Sequence, residues 1–115
     1  MIAVSESFAM AEKLGLSAQN LFDITSSSSS QCWAMTSYLP VPGPVPASPA
    51  NNDYQPGFSG AMMAKDMKLA RDAAISSGQK TELADSALQM YERFLAEGGS
   101  SKDFSAIYNM INNSS

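Results

Sequence analysis

The longest helical pattern in the chain lies between Gly57 and Ala74. From Ala61 onward Ala, Met, Leu, Lys and Arg form a run of strong helix formers. Met63, Met67, Ala70 and Ala74 make one apolar row at helical spacing, and Met62, Leu69 and Ala73 make a second. Two apolar rows predict a central helix packed on several sides, opening loosely through Gly57 and Gly60. Lys65, Lys68 and Asp72 are left to share one narrow polar strip.

The other segments are read in the same way. Ala3, Val4, Phe8, Met10, Ala11 and Leu14 predict a helix over residues 2–14 with Ser5, Glu6, Glu12 and Lys13 on the opposite side and Gly15 as the stop. Met1 enters this pattern with no capping residue before it, as though a longer helix had been cut. Ser17 is expected to cap a second helix over 18–25, with Leu16 and Leu21 in the positions of a hydrophobic staple. The serines from Ser26 to Ser30 are read as a helix junction before a short helix over 31–38, in which Trp33 is a core or interface anchor. All six prolines fall in residues 39–57. With Leu39, Val41, Val45 and Tyr54 to pin it down, that stretch is predicted to be extended but ordered.

After a break at Ser76-Ser77-Gly78, a helix starting near Thr81 carries Leu83, Ala84, Ala87, Leu88, Tyr91, Phe94 and Leu95 on one face, with Arg93 and Glu97 paired on the wet face, and ends at Gly98-Gly99. Asp103 is expected to cap a last helix marked by Phe104, Ile107, Tyr108 and Ile111. No stretch alternates as a strand would, so the predicted class is all-α.

At 115 residues the chain is one domain's worth, and its net charge of −4 with scattered acids offers no basic footprint for nucleic acid. The single cysteine, Cys32, has no internal disulfide partner, and the lack of histidine removes the usual zinc sets and every His-based dyad. No metal site is expected. No apolar run reaches the roughly 18 residues of a membrane span and the start lacks a basic signal region, so a soluble, reducing compartment is expected. Gly57-x-x-Gly60 lacks the third glycine and the preceding strand of a dinucleotide fingerprint, and no serine stands in a nucleophile turn. On spacing alone, Lys65, Lys68 and Asp72 read as a solvated surface group.

The order Gly57-Phe58, then Met62-Met63-x-Lys65-Asp66-Met67-x-Leu69-Ala70-x-Asp72, changes that reading, together with Cys32-Trp33, Pro40-Val41-Pro42-Gly43 and Pro49-Ala50-Asn51-Asn52 with Tyr54 and Pro56. These residues resemble the β-hydroxyacid dehydrogenases, and within them most the 3-hydroxyisobutyrate dehydrogenases. The resemblance runs from about Met1 to Lys102-Asp103-Phe104-Ser105. It implies that residues 1–115 form a multi-helix C-terminal, NAD-binding and dimerisation domain of the 6-phosphogluconate dehydrogenase-like type, without the N-terminal dinucleotide-binding domain. The general acid/base lysine would lie upstream, so no catalytic residue is expected here and the chain alone would be inactive.

The resemblance further implies that Lys65 contacts the cofactor near its nicotinamide ribose and that Phe58, Trp33 and Asp72 are substrate-pocket residues. Implied too are NAD, with NADP open, a small hydroxyacid substrate, and a dimer or larger assembly in the cytoplasm, or in the mitochondrial matrix of a eukaryote. A sister reductase of tartronate semialdehyde, and a stand-alone dimerisation module, are the alternatives.

Overall fold

The computed structural model describes residues 1–114, and among them the chain is helical with no strand. It divides into two compact units, Met1–Gln55 with Ser105–Ser115, and Pro56–Phe104.

In the first unit α1 (Ile2–Lys13) packs against α6 (Ile107–Asn113), and α2 (Ala18–Thr25) and the single turn α3 (Trp33–Thr36) follow α1. The buried face of α1 carries Val4, Ser5, Phe8, Ala9 and Ala11. Met10 and Leu14, expected inside, are 61% and 78% exposed, because the helix turns its 4, 5, 8 and 9 positions inward and those two fall outside that stripe. Ser17 caps α2 as expected, its Oγ accepting from the Asn20 N–H at 3.2 Å. The helix expected over 31–38 shortens to four residues. Trp33 is 59% exposed rather than a core anchor and lies stacked on Tyr38, ring centroids 4.9 Å apart.

The proline-rich stretch is ordered. Leu39, Val41, Val45, Ala50 and Tyr54 are buried, and one 3-10 turn spans Pro49–Asn51. Proline and irregular backbone leave main-chain groups without ladder partners, and side chains take over that work. The Ser48 hydroxyl donates to the Leu39 carbonyl. Asn51 donates to Val45 O and accepts from Gly43 N, both at 2.8 Å, and the Tyr54 hydroxyl donates to Pro40 O at 2.7 Å. Phe8, Met35, Leu39, Val41, Val45 and Tyr108 belong to one apolar core.

The second unit is a helical hairpin of α4 (Gly60–Ser77) and α5 (Glu82–Ala96), joined by four residues. Ser59 caps α4, its Oγ accepting from Met62 N at 3.2 Å, and Gly78 ends it in the left-handed region at φ 74°. The helix therefore begins three residues later than the sequence pattern suggested and runs through the two serines taken for a break. Only one stripe of α4 faces inward: Gly60 and Ala64 are buried, and Met63, Met67, Arg71 and Ala74 half-buried. The second apolar row, Met62, Leu69 and Ala73, is exposed, so α4 is not enclosed on several sides by this chain. Leu88, Tyr91 and Phe94 form the buried face of α5, Leu83 at its start is 89% exposed, and Arg93 and Glu97 make the expected exposed pair at 3.3 Å.

Candidate functional site

The second unit contains Phe58, Lys65 and Asp72, and the start of α4 sets the position of the first two. That start is gripped, not loose. The Asp103 carboxylate, fully buried, accepts from the Gly57 N–H at 3.0 Å and the Phe58 N–H at 3.2 Å through Oδ2. On either side of it the main chain pairs directly, Phe104 N donating to Phe58 O and Gly60 N donating to Lys102 O, both at 2.8 Å. Ser59 and Asp103 thus face one another as an isolated antiparallel bridge. Asp103 was expected to cap the last helix. Its Oδ2 binds the backbone ahead of α4, and the residue stands immediately before the 3-10 turn Phe104–Ala106 that runs into α6.

Glycine at position 60 follows from this packing. A Cβ there would stand 2.7 Å from the Gly99 carbonyl oxygen and 2.7 Å from a ring carbon of Phe94, closer than any real side chain is found. Phe58 is half-buried and packs edge-on against Phe104, centroids 5.9 Å apart.

Along the polar strip the cations differ in their partners. Lys68 reaches Glu92 of α5 at 3.5 Å, and Arg71 meets Asp72 at 3.7 Å. Lys65 is exposed and makes no ion pair or hydrogen bond among the described residues. Its neighbour Asp66 points elsewhere around the helix, as adjacent residues must. Lys65 and Asp72 stand seven residues apart on one straight helix, about 10 Å along its axis, which is too far for a direct contact. Trp33 belongs to the first unit, on α3.

An exposed ammonium on a helix whose start is rigidly held can donate up to three hydrogen bonds to an incoming ribose or phosphate oxygen while the helix stays in place. The residues present fit a nicotinamide cofactor in that limited sense. They offer one exposed cation and one half-buried aromatic ring but no glycine-rich cradle. Among the described residues no group of His, Cys, Asp and Glu is arranged to hold a metal ion, and no helix is long and apolar enough to cross a membrane.

Sequence reasoning missed the hold of Asp103 on the backbone ahead of α4 and the cap supplied by Ser59. The signal was present in both cases: a serine one residue before the helix run, and an aspartate within Lys102-Asp103-Phe104-Ser105. What the sequence does not display is that these two distant stretches meet.

Residues 1–111 match a family described as the NAD-binding domain of NADP-dependent 3-hydroxyisobutyrate dehydrogenase. The probable 3-hydroxyisobutyrate dehydrogenase of Mycobacterium tuberculosis is 49% identical over 110 residues, covering 96% of this chain and 37% of that protein. The mitochondrial 3-hydroxyisobutyrate dehydrogenase of Drosophila melanogaster is 40% identical over 111 residues, 96% of this chain and 34% of that one. A solved structure of the Mycobacterium tuberculosis enzyme with L-serine superposes with a TM-score of 0.91 at 49% identity, covering 96% of this chain and 38% of that one. A Salmonella typhimurium 3-hydroxyisobutyrate dehydrogenase structure, at 21% identity and a TM-score of 0.76, shares the fold over 95% of this chain and 36% of its own. The chain spans little more than a third of the length of the relatives it matches. With an all-helical fold, a held α4 carrying Lys65, and a family match over nearly its whole length, the chain belongs to the NAD-binding helical domain family of the 3-hydroxyisobutyrate dehydrogenases.

Proposed function

We propose that residues 1–115 act as the C-terminal helical domain of an NAD-dependent dehydrogenase that oxidises 3-hydroxyisobutyrate to methylmalonate semialdehyde, as in valine degradation. The observation that carries this reading is Lys65. Of the three cations on α4, it is the one with no carboxylate partner among the described residues, and it lies in a chain 49% identical to a probable 3-hydroxyisobutyrate dehydrogenase. In this reading the Lys65 ammonium donates to the ribose of the cofactor, and Phe58 and Asp72 of the same unit are substrate-pocket residues. A bound nicotinamide would supply the hydride acceptor for oxidation at the carbinol carbon. The hydroxyl proton leaves to a lysine of the upstream part, which also supplies the dinucleotide-binding domain. The Lys65 side chain holds the cofactor in place and takes no proton.

NAD is the expected cofactor and NADP the alternative, since the choice is made at the adenine ribose by residues outside this chain. The cytoplasm, or the mitochondrial matrix in a eukaryote, is the expected compartment, in keeping with relatives named as mitochondrial enzymes. A second reading, a helical module that dimerises without catalysis, is favoured by the exposed row Met62, Leu69 and Ala73. In either reading the chain associates with a second copy. A reductase of tartronate semialdehyde is the sister activity within the first.

Full-length protein carrying this sequence provides the test, with nicotinamide reduction and sedimentation measured on one preparation. Oxidation of 3-hydroxyisobutyrate by a dimer or larger assembly is expected. A protein that self-associates but reduces no cofactor with any hydroxyacid would leave only the dimerisation module standing.

A further inference from the structure

Resting on the reading of Lys65 and Phe58 above, we infer that Asp103 is a positioning residue for the cofactor-contacting helix: its buried carboxylate fixes the Gly57-Phe58 backbone and so the placement of Phe58 and Lys65. A carboxylate removed from water is costly unless charge-assisted hydrogen bonds compensate it. Asp103 has no exposed surface, and its Oδ2 takes the N–H groups of Gly57 and Phe58, which precede α4 and therefore have no helical partner. These bonds add to the direct pairings of Phe58 O with Phe104 N and of Gly60 N with Lys102 O.

Three consecutive residues thus hold four main-chain groups of the segment that leads into α4. Phe58 is gripped at its own amide and carbonyl. Lys65 lies five residues beyond Gly60, about 7.5 Å along an unbroken helix, so a shift at the grip is carried to it as a rigid displacement. Displacements near 1 Å at a reacting or binding group cost rate and affinity steeply. Asp103 touches neither cofactor nor substrate in this account and acts only through the α4 start.

The experiment compares Asp103→Ala, Asp103→Asn, Lys65→Ala and the Asp103→Ala/Lys65→Ala double variant in the full-length dehydrogenase carrying this sequence, reading KM for the cofactor, kcat and thermal midpoint. Asp103→Ala is expected to raise the cofactor KM about ten- to a hundred-fold. Asp103→Asn, which keeps an oxygen acceptor at the same reach, is expected to restore most of it. With Lys65 already removed, Asp103→Ala should raise KM by no more than about two-fold, because contacting groups acting through one another are not additive.

A purely structural role predicts loss of active enzyme with KM unchanged, or the same factor with Lys65 present or absent, and either result overturns the inference. If Asp103→Ala does not fold, Asp103→Ser takes its place, since its shorter side chain cannot hold both N–H groups: a raised cofactor KM at an unchanged midpoint supports the inference, and an unchanged KM overturns it. An unchanged KM in Lys65→Ala would instead remove the functional reading beneath it. A raised KM in Lys65→Ala beside a flat Asp103→Ala removes this inference alone.

Discussion

Tyr54 takes up the left-handed backbone region at φ 53°, directly after Asp53 at φ 48°, a conformation that costs a non-glycine residue about 1 kcal/mol or more. What holds it there is visible. Its ring is buried, its N–H donates to Pro49 O at 2.9 Å, and its hydroxyl donates to Pro40 O at 2.7 Å and approaches Asn109 Oδ1 at 3.4 Å. Burial pushes the phenol from its ordinary 10.0 up to about 12, against the smaller opposite pull of the Asn109 hydrogen bond.

The unfolded chain releases this proton first as pH rises, so in that window the folded state holds more protons and loses stability. Denaturation midpoints are therefore expected to be insensitive to Tyr54 below about pH 10 and to fall between about 10 and 12. Burial raises Tyr91 and Tyr108 too, with Asp103 adding to the first and Glu12 to the second, so both act in the same direction. Tyr54→Phe should cost about 1 kcal/mol at neutral pH and flatten part of the alkaline loss. The same alkaline slope in the variant would show that the Tyr54 phenol is not held as described.

Residue types along the polar strip were legible in the sequence, but their pairing was not. Lys65 and Lys68 look alike until α5 brings Glu92 to one of them.

Of the helices, α4 was the easiest to read and the easiest to misplace. Its run of helix formers identified it, while Gly57 and Gly60 suggested a loose start. In the fold Gly60 is required by a close approach: the Gly99 carbonyl and the Phe94 ring occupy the space a side chain would need. Gly60→Ala, which raises intrinsic helix propensity, should therefore destabilise the chain by about 1–3 kcal/mol, measured by urea denaturation. A stabilised variant would mean that α4 does not rest on residues 94–99 as described. The inward face of α1 shows the same limit. Its apolar residues lie on more of the circumference than one face, and only packing on α6 selects Val4, Phe8 and Ala9 over Met10 and Leu14. The all-α class and the α2 cap were legible because they are local. The Asp103 grip was not, because its partners lie 45 and 46 residues away.

At the scale of the whole molecule, family membership and architecture agree, while the chain covers little more than a third of its relatives. Each unit has its own buried residues and leaves large apolar side chains exposed: Met10, Leu14, Ile24 and Trp33 in the first, and Met62, Leu69, Ile75 and Leu83 in the second.

The central claim is that Lys65 is a cofactor contact and not a surface charge. The most direct measurement is a cofactor titration of full-length enzyme carrying this sequence, comparing Lys65→Ala with Lys68→Ala. Both remove one cation from the same helix, and Lys68 already has Glu92 as its partner. Lys65→Ala should weaken nicotinamide binding roughly ten- to a hundred-fold, the loss of one charge-assisted hydrogen bond, with the fold intact. Lys68→Ala should change it by less than about five-fold, as for an exposed ion pair. Equal and negligible effects in the two variants would contradict the account and leave α4 a packing element whose lysines have no part in binding.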